Sequence, residues 1–167
     1  IFYGFETGVE ELAKNILTNK KNRDFEKMKR ISEWTKEVGI ETRAGFLVGL
    51  PGETPELAKK TIQTAIDLDP DYAQFTVCCP YPGTKLANEI HEGKWGKFLT
   101  HELKEYNMWN VTWLPFGYKN AEELKNMERY AFRKFYLRPR YIIKRIMKIR
   151  RFEDIKRYIK GGTALVR

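Results

Sequence analysis

Three apolar runs recur along the first half of this chain, each bounded by turn residues and separated by segments of helical spacing. The first holds Phe2, Tyr3 and Phe5 and ends at Glu6. The second covers residues 40–50 and is densest at Phe46, Leu47, Val48 and Leu50. The third covers residues 72–79 and closes on Pro80-Tyr81-Pro82-Gly83. Short apolar runs between breakers mark strands of a parallel sheet buried on both faces. Between the runs the period becomes that of a helix. Leu12, Ile16 and Leu17 predict a short helix over 9–17. Phe25, Met28, Ile31, Thr35 and Val38 place one stripe on a helix over 24–38, with Gly39 as its stop. Leu57, Ile62, Ala65 and Ile66 repeat the pattern over 55–68. There Thr54 supplies a capping oxygen, Pro55 suits the first helical position, and Asp69-Pro70 ends the helix. Strands alternating with helices predict an α/β fold with right-handed crossovers.

After Gly83 the pattern changes. A short helix over 84–91 leads into an irregular aromatic stretch with Trp95, Phe98, Tyr106, Trp109, Trp113 and Phe116. Asn120 is placed to cap a helix running to about residue 137, with Glu122 and Glu123 complementing the dipole of its first turn. Amphipathic helices follow near 141–149 and 152–160, ended by Gly161-Gly162. Residues 1–92 therefore read as an α/β layer, and residues 93–167 as an aromatic linker with a basic helical extension.

The chain's 167 residues suffice for one real core, and its hydrophobic and aromatic shares of 42% and 14% exclude a disordered chain. No apolar run approaches the roughly 20 residues of a membrane span. Ile1 opens directly into a strand, so a missing N-terminal half of the same polypeptide is the first expected partner. Three strands also leave the first with an unpaired edge, which predicts self-association or a cover from another element. The net charge of +9 is unevenly placed: residues 133–160 hold twelve bases and two acids, and the remainder is close to neutral. Such bases are accounted for by a solvated helix face. A membrane surface is a second reading, because Ile142, Ile146, Ile149 and Ile155 interleave with them. Nucleic acid is the less expected third, through the interleaved aromatics Phe135, Tyr136, Tyr141 and Tyr158. The only cysteines, Cys78 and Cys79, are adjacent, which argues against a zinc site or a disulfide framework and for a reducing, cytoplasmic setting, peripheral to the membrane if the helices dock there. His91 and His101 lack metal-ligand spacing.

The candidate chemistry gathers at "GFLVGLPGETPE", residues 45–56, a strand followed by a glycine-rich turn and a capped helix. In parallel sheets, ligands bind at the carboxyl ends of the strands. The glycine spacing fits neither a P-loop nor the dinucleotide fingerprint. What remains is a turn where backbone can approach a ligand, beside two acids at strand ends, Glu6 and Glu53. A carboxylate there suits the two hydroxyls of a ribose, since it accepts both hydrogen bonds at once. A plain turn, with glycine present for packing, is the other reading of the same residues.

Three separated signatures, "YGFETGVEELAKNILTNK", "GIETRAGFLVGLPGET" and "PYPGTKL", resemble in order and spacing those of radical S-adenosylmethionine (SAM) enzymes. A fourth, "FRKFYLRPRYIIKRI", resembles the C-terminal region of the cobalamin-dependent subgroup. The resemblance implies that the chain is the C-terminal half of a partial (βα)6 TIM-like barrel, strands four to six, with an α-helical extension. It implies SAM and a 4Fe–4S cluster in the intact enzyme, with cobalamin in the subgroup, and modification of an unreactive carbon of a small-molecule substrate. By the same resemblance Glu6 matches the acid that contacts SAM, and Gly45, Leu47 and Gly49 match a strand motif packed near adenine. Gly52 and Glu53 match its turn, where the acid holds the loop; Pro80 and Tyr81 match a segment along the adenine edge. Arg43 matches a position where some relatives place a base for the SAM carboxylate, and it also fits a solvent-facing role. The family's cluster motif C-x-x-x-C-x-x-C is absent from this sequence. The chain by itself is therefore expected to be inactive, and a non-catalytic adenosine-binding α/β module stands as the alternative.

Overall fold

The computed structural model describes residues 1–16 and 25–147. Three strands, β1 (Phe2–Glu6), β2 (Arg43–Val48) and β3 (Tyr72–Val77), form a parallel sheet in that order. Helices α1 (Glu10–Ile16) and α2 (Phe25–Glu37) lie between β1 and β2 in the chain, and α3 (Pro55–Leu68) lies between β2 and β3. The second half holds α4 (Lys85–His91), a short antiparallel pair of β4 (Gly96–Phe98) and β5 (Trp113–Pro115), then α5 (Ala121–Tyr136) and α6 (Pro139–Met147). This is an α/β fold with an all-parallel main sheet and, among the described residues, no closed barrel.

The strands are shorter than the apolar runs: Thr42, Leu50, Cys78 and Cys79 fall outside them. The β4–β5 pair corrects the reading of residues 95–116 as irregular. The buried stripe on α2 is Met28, Ser32 and Thr35, with Ile31 half-buried and Phe25 exposed; the helix ends at Glu37, and Gly39, at φ 74, turns the chain and leaves Val38 exposed. The expected helix over 152–160 lies outside the described residues.

Alternation along the strands sends Phe5, Phe46 and Phe75 to one face, where their rings follow one another at 6.0 and 5.6 Å. Helices α3 and α5 cover that face with Ala58, Ile62, Ala65 and Leu68 and with Leu124, Ala131 and Phe135, all buried. A second cluster of Leu12, Leu50, Cys78, Ile90 and Trp113 fills the space beyond the carboxyl ends of the strands. The other face of the sheet carries Phe2, Gly4, Arg43, Gly45, Tyr72, Gln74 and Thr76, none of them fully buried. Among the described helices α6 reaches this face, at its Tyr72 end, where Arg145 lies over the Tyr72 ring at 4.2 Å.

Candidate functional site

The strand register between β1 and β2 breaks after Gly4, where Phe5 becomes the extra residue of a bulge. Glu6 leaves the bulge at φ 59, a left-handed conformation that costs a residue with a long side chain. That turn folds the carboxylate back over the open face: a Cβ built on Gly4 would stand 2.8 Å from Glu6 Oε1. Its charge is felt at Cys78, whose thiol is pushed up chiefly by burial, then by Glu53, Cys79 and Glu6. On the neighbouring strand Gly45 lies under Phe2, since a Cβ there would meet the ring at 2.9 Å. Leu47 is next along β2, half-buried against the second cluster. Glu6, Gly45 and Leu47 thus share one open face, floored by two glycines.

The glycine-rich turn is built differently. Gly49 and Gly52 hold φ of 74 and 79, which only glycine adopts without strain. Leu124 of α5 sits 2.9 Å from where a Cβ on Gly49 would be, and Asn15 and Trp95 close on Gly52 at 3.0 and 3.6 Å. Glu53 is completely buried beneath the turn. Its Oε1 accepts the Gly49 N–H at 2.5 Å and the Tyr118 hydroxyl at 2.7 Å, and its Oε2 has no hydrogen-bond partner. Burial pushes this carboxyl up to about 7, although hydrogen bonds from Tyr118 and the Gly49 and Leu50 backbone favour the charged form. Glu53 and Gly49 therefore hold the turn together from within, both buried, while Gly52 lies exposed on its outside.

Pro80 is buried and Tyr81 is exposed, its ring 6.4 Å from that of Tyr106. Arg43 stands at the opposite end of β2 from the turn, with its guanidinium over the Tyr72 ring at 5.1 Å. The structure therefore brings Glu6, Gly45 and Leu47 together, buries Gly49 and Glu53 behind them with Gly52 exposed on the turn, and leaves Arg43 at the far end of the same face, beside Tyr72. Residues missed by sequence reasoning complete the turn. Gly117 lets its backbone meet that of Glu53, because a Cβ there would lie 1.9 Å from the Glu53 carbonyl oxygen. Asn15 donates to the Pro51 carbonyl at 2.8 Å and Tyr118 holds the acid. The only sequence signal for Gly117 and Tyr118 is a glycine beside an aromatic in "FGYKN", while Asn15 falls inside the first signature without being marked there.

Among the described residues no group of three or more His, Cys, Asp or Glu side chains is placed to hold a metal ion. Cys78 is buried with its carbonyl accepting from Trp113, and burial raises the thiol of Cys79 as well. Two adjacent thiols disfavoured as thiolates do not fit a 4Fe–4S cluster. Nor is any helix among the described residues long and apolar enough to cross a membrane.

No protein-family model matches the chain. Over 131 residues it is 36% identical to an uncharacterized methyltransferase of Pyrococcus horikoshii, covering 75% of this chain and 27% of that protein. It is also 28% identical over 122 residues to the anaerobic magnesium-protoporphyrin IX monomethyl ester cyclase of Rubrivivax gelatinosus, covering 73% of the chain and 21% of the cyclase. The cyclase of the same name from Cereibacter sphaeroides is 29% identical over 103 residues, 62% of the chain and 16% of that protein. The chain is thus similar to a methyltransferase and to ester cyclases, and its match spans about a quarter or less of their lengths.

Proposed function

We propose that this chain supplies the adenosine-facing side of a SAM site in a radical SAM enzyme, its three strands forming the C-terminal half of a partial (βα)6 barrel. The observation that carries this reading is Glu6, held at φ 59 with its carboxylate turned onto the open face beside Gly4 and Gly45. Strained non-glycine residues cluster at ligand sites, where the strain presets the contact. The ordered signatures and the similarity to a methyltransferase and two cyclases support it.

In this reading Glu6 accepts both ribose hydroxyls, and the two glycines keep the floor low enough for a flat ring to approach. Leu47 offers it an apolar side. Phe2, whose ring covers Gly45, turns aside to admit the ring. When bound, SAM supplies the adenosyl group that opens an unreactive carbon to modification. The cysteines present do not fit the cluster, so no reaction step is assigned to this chain. Cobalamin, the small-molecule substrate and the cluster belong with the rest of the intact polypeptide. In the run resembling the cobalamin-dependent subgroup, Tyr136 and Tyr141 are already engaged with the Ala73 and Asp71 backbone.

The test is a titration of 5′-deoxyadenosine into the labelled chain, followed by amide resonances. Shifts should concentrate at Gly4, Glu6, Gly45 and Leu47, with weak affinity. Glu6→Gln leaves one acceptor oxygen in place of two and should weaken binding about tenfold, the worth of one hydrogen bond to a charged group. Shifts centred elsewhere, or an unaffected Glu6→Gln variant, would overturn the assignment.

A further inference from the structure

We propose that the outer side of α6 is a docking surface for an anionic lipid bilayer. The helix is divided by its 3.6-residue period. Tyr141 and Arg145 face inward: the Tyr141 hydroxyl donates to the Asp71 carbonyl at 2.9 Å, and Arg145 lies over the Tyr72 ring at 4.2 Å. The remaining arc runs from Ile142 and Ile146 through Ile143 to Met147, all exposed, Ile143 and Ile146 at 56% and 59%. Arg140 and Lys144 then follow on the same circuit, along a hollow of about 480 Å³ that they line with Asp69, Ile143 and Met147. Asp69, the acid of that hollow, is matched by Lys144 at 3.0 Å, Arg138 at 3.6 Å and Lys36 at 4.0 Å, so it leaves no net negative spot.

Charge complementarity selects the occupant. Residues 133–160 carry twelve bases and two acids, a surplus that attracts anionic headgroups. Branched aliphatics beside bases are the composition of a helix lying in the interface plane, its apolar side among the acyl ends. No helix among the described residues is long and apolar enough to cross a bilayer, and the apolar arc of α6 runs along one side of it, which suits a lateral contact. Nucleic acid would need flat rings presented to bases. The described aromatics of this region, Phe135, Tyr136 and Tyr141, are instead turned into the core, Phe135 against Tyr136 at 5.0 Å and Tyr136 against Tyr141 at 5.2 Å.

The experiment is co-sedimentation of the full 167-residue chain with vesicles of phosphatidylcholine alone and of phosphatidylcholine mixed with phosphatidylglycerol. Binding should appear on the mixed vesicles only. The double variant Ile143→Asp, Ile146→Asp should lower partitioning by about tenfold or more, because it puts charge where the acyl chains would lie. Its melting temperature should equal that of the parent; a clear fall would mean that the face is packed within the chain, overturning the proposal. As an independent readout, Ile146→Trp should shift its emission to the blue on the mixed vesicles. No binding, binding that the double variant retains, or retention of single-stranded RNA in place of vesicles would each refute it.

Discussion

Glu53 Oε2 is a buried carboxylate oxygen that receives no hydrogen bond, while Oε1 receives two. An acid so placed keeps its proton on the unpartnered oxygen and accepts through the other. Its carboxyl stands at about 7 in the fold against an ordinary 4.5, so the folded state holds the proton through a window where the unfolded chain has released it. Stability from this group is therefore complete below about pH 4.5 and is lost as pH rises to about 7, a decline on the order of 3 kcal/mol. Glu53→Gln keeps the acceptor and the volume without the titration. Urea unfolding at pH 5 and pH 8 should show the parent weakened at the higher pH and the variant nearly level. Parallel pH dependence in both would mean that Glu53 is ionised throughout. The sequence marks this acid as the end of a strand and start of a turn, and the resemblance assigns it to holding the loop. Tyr118 was not legible, because it lies 65 residues away and no local period links the two. Glu6 was legible as a strand-end acid, but the bulge that aims it was not, since "YGFE" alternates no differently from a regular strand.

At the level of elements, caps and breakers carried most of what the sequence disclosed. Pro55–Leu68 forms as read, with Thr54 as cap and Asp69 ending the helix at φ 45. For α5, the Asn120 side chain accepts from the Glu123 N–H at 2.8 Å, and the Glu123 carboxylate reaches back to the Lys119 N–H at 2.6 Å. This reciprocal arrangement satisfies two otherwise orphaned donors at the helix start. Asn120→Ala should therefore cost about 1 kcal/mol, read as a lowered urea midpoint with an unchanged slope. A neutral outcome would show that water replaces the cap without loss. The β4–β5 pair escaped the reading because three-residue strands are too short to establish a period. What brings them together is contact. Gly96 admits the Leu114 carbonyl, 2.2 Å from where its Cβ would be, and Trp113 is buried with its indole N–H on the Cys78 carbonyl.

Across the whole molecule the two edges of the parallel sheet are treated unequally. On β3, Tyr136 blocks the ladder at Ala73, its hydroxyl donating to the carbonyl at 2.7 Å and accepting the N–H at 3.1 Å. A side chain bonded to both backbone groups of an edge residue leaves an incoming strand nothing to pair with there. On β1 the sequence Phe2-Tyr3-Gly4-Phe5-Glu6 carries no lysine or proline to discourage pairing, and Ile1 and Phe2 are 57% and 59% exposed. An edge of this kind is open to pairing with another strand, which makes self-association the expected outcome for the chain on its own. The parallel order behind this argument was legible from three apolar runs between helical segments, whereas the Tyr136 cap was not, being a contact across 63 residues. Sedimentation equilibrium of the chain should accordingly show a mass that rises with concentration. Phe2→Lys, which puts a charge on the β1 edge, should move the distribution toward monomer without lowering the melting temperature. Tyr136→Phe, by freeing the Ala73 groups, should move it the other way. A chain that stays monomeric at every concentration would show that β1 repels partners despite its composition. An association indifferent to Phe2→Lys would place the contact on another surface.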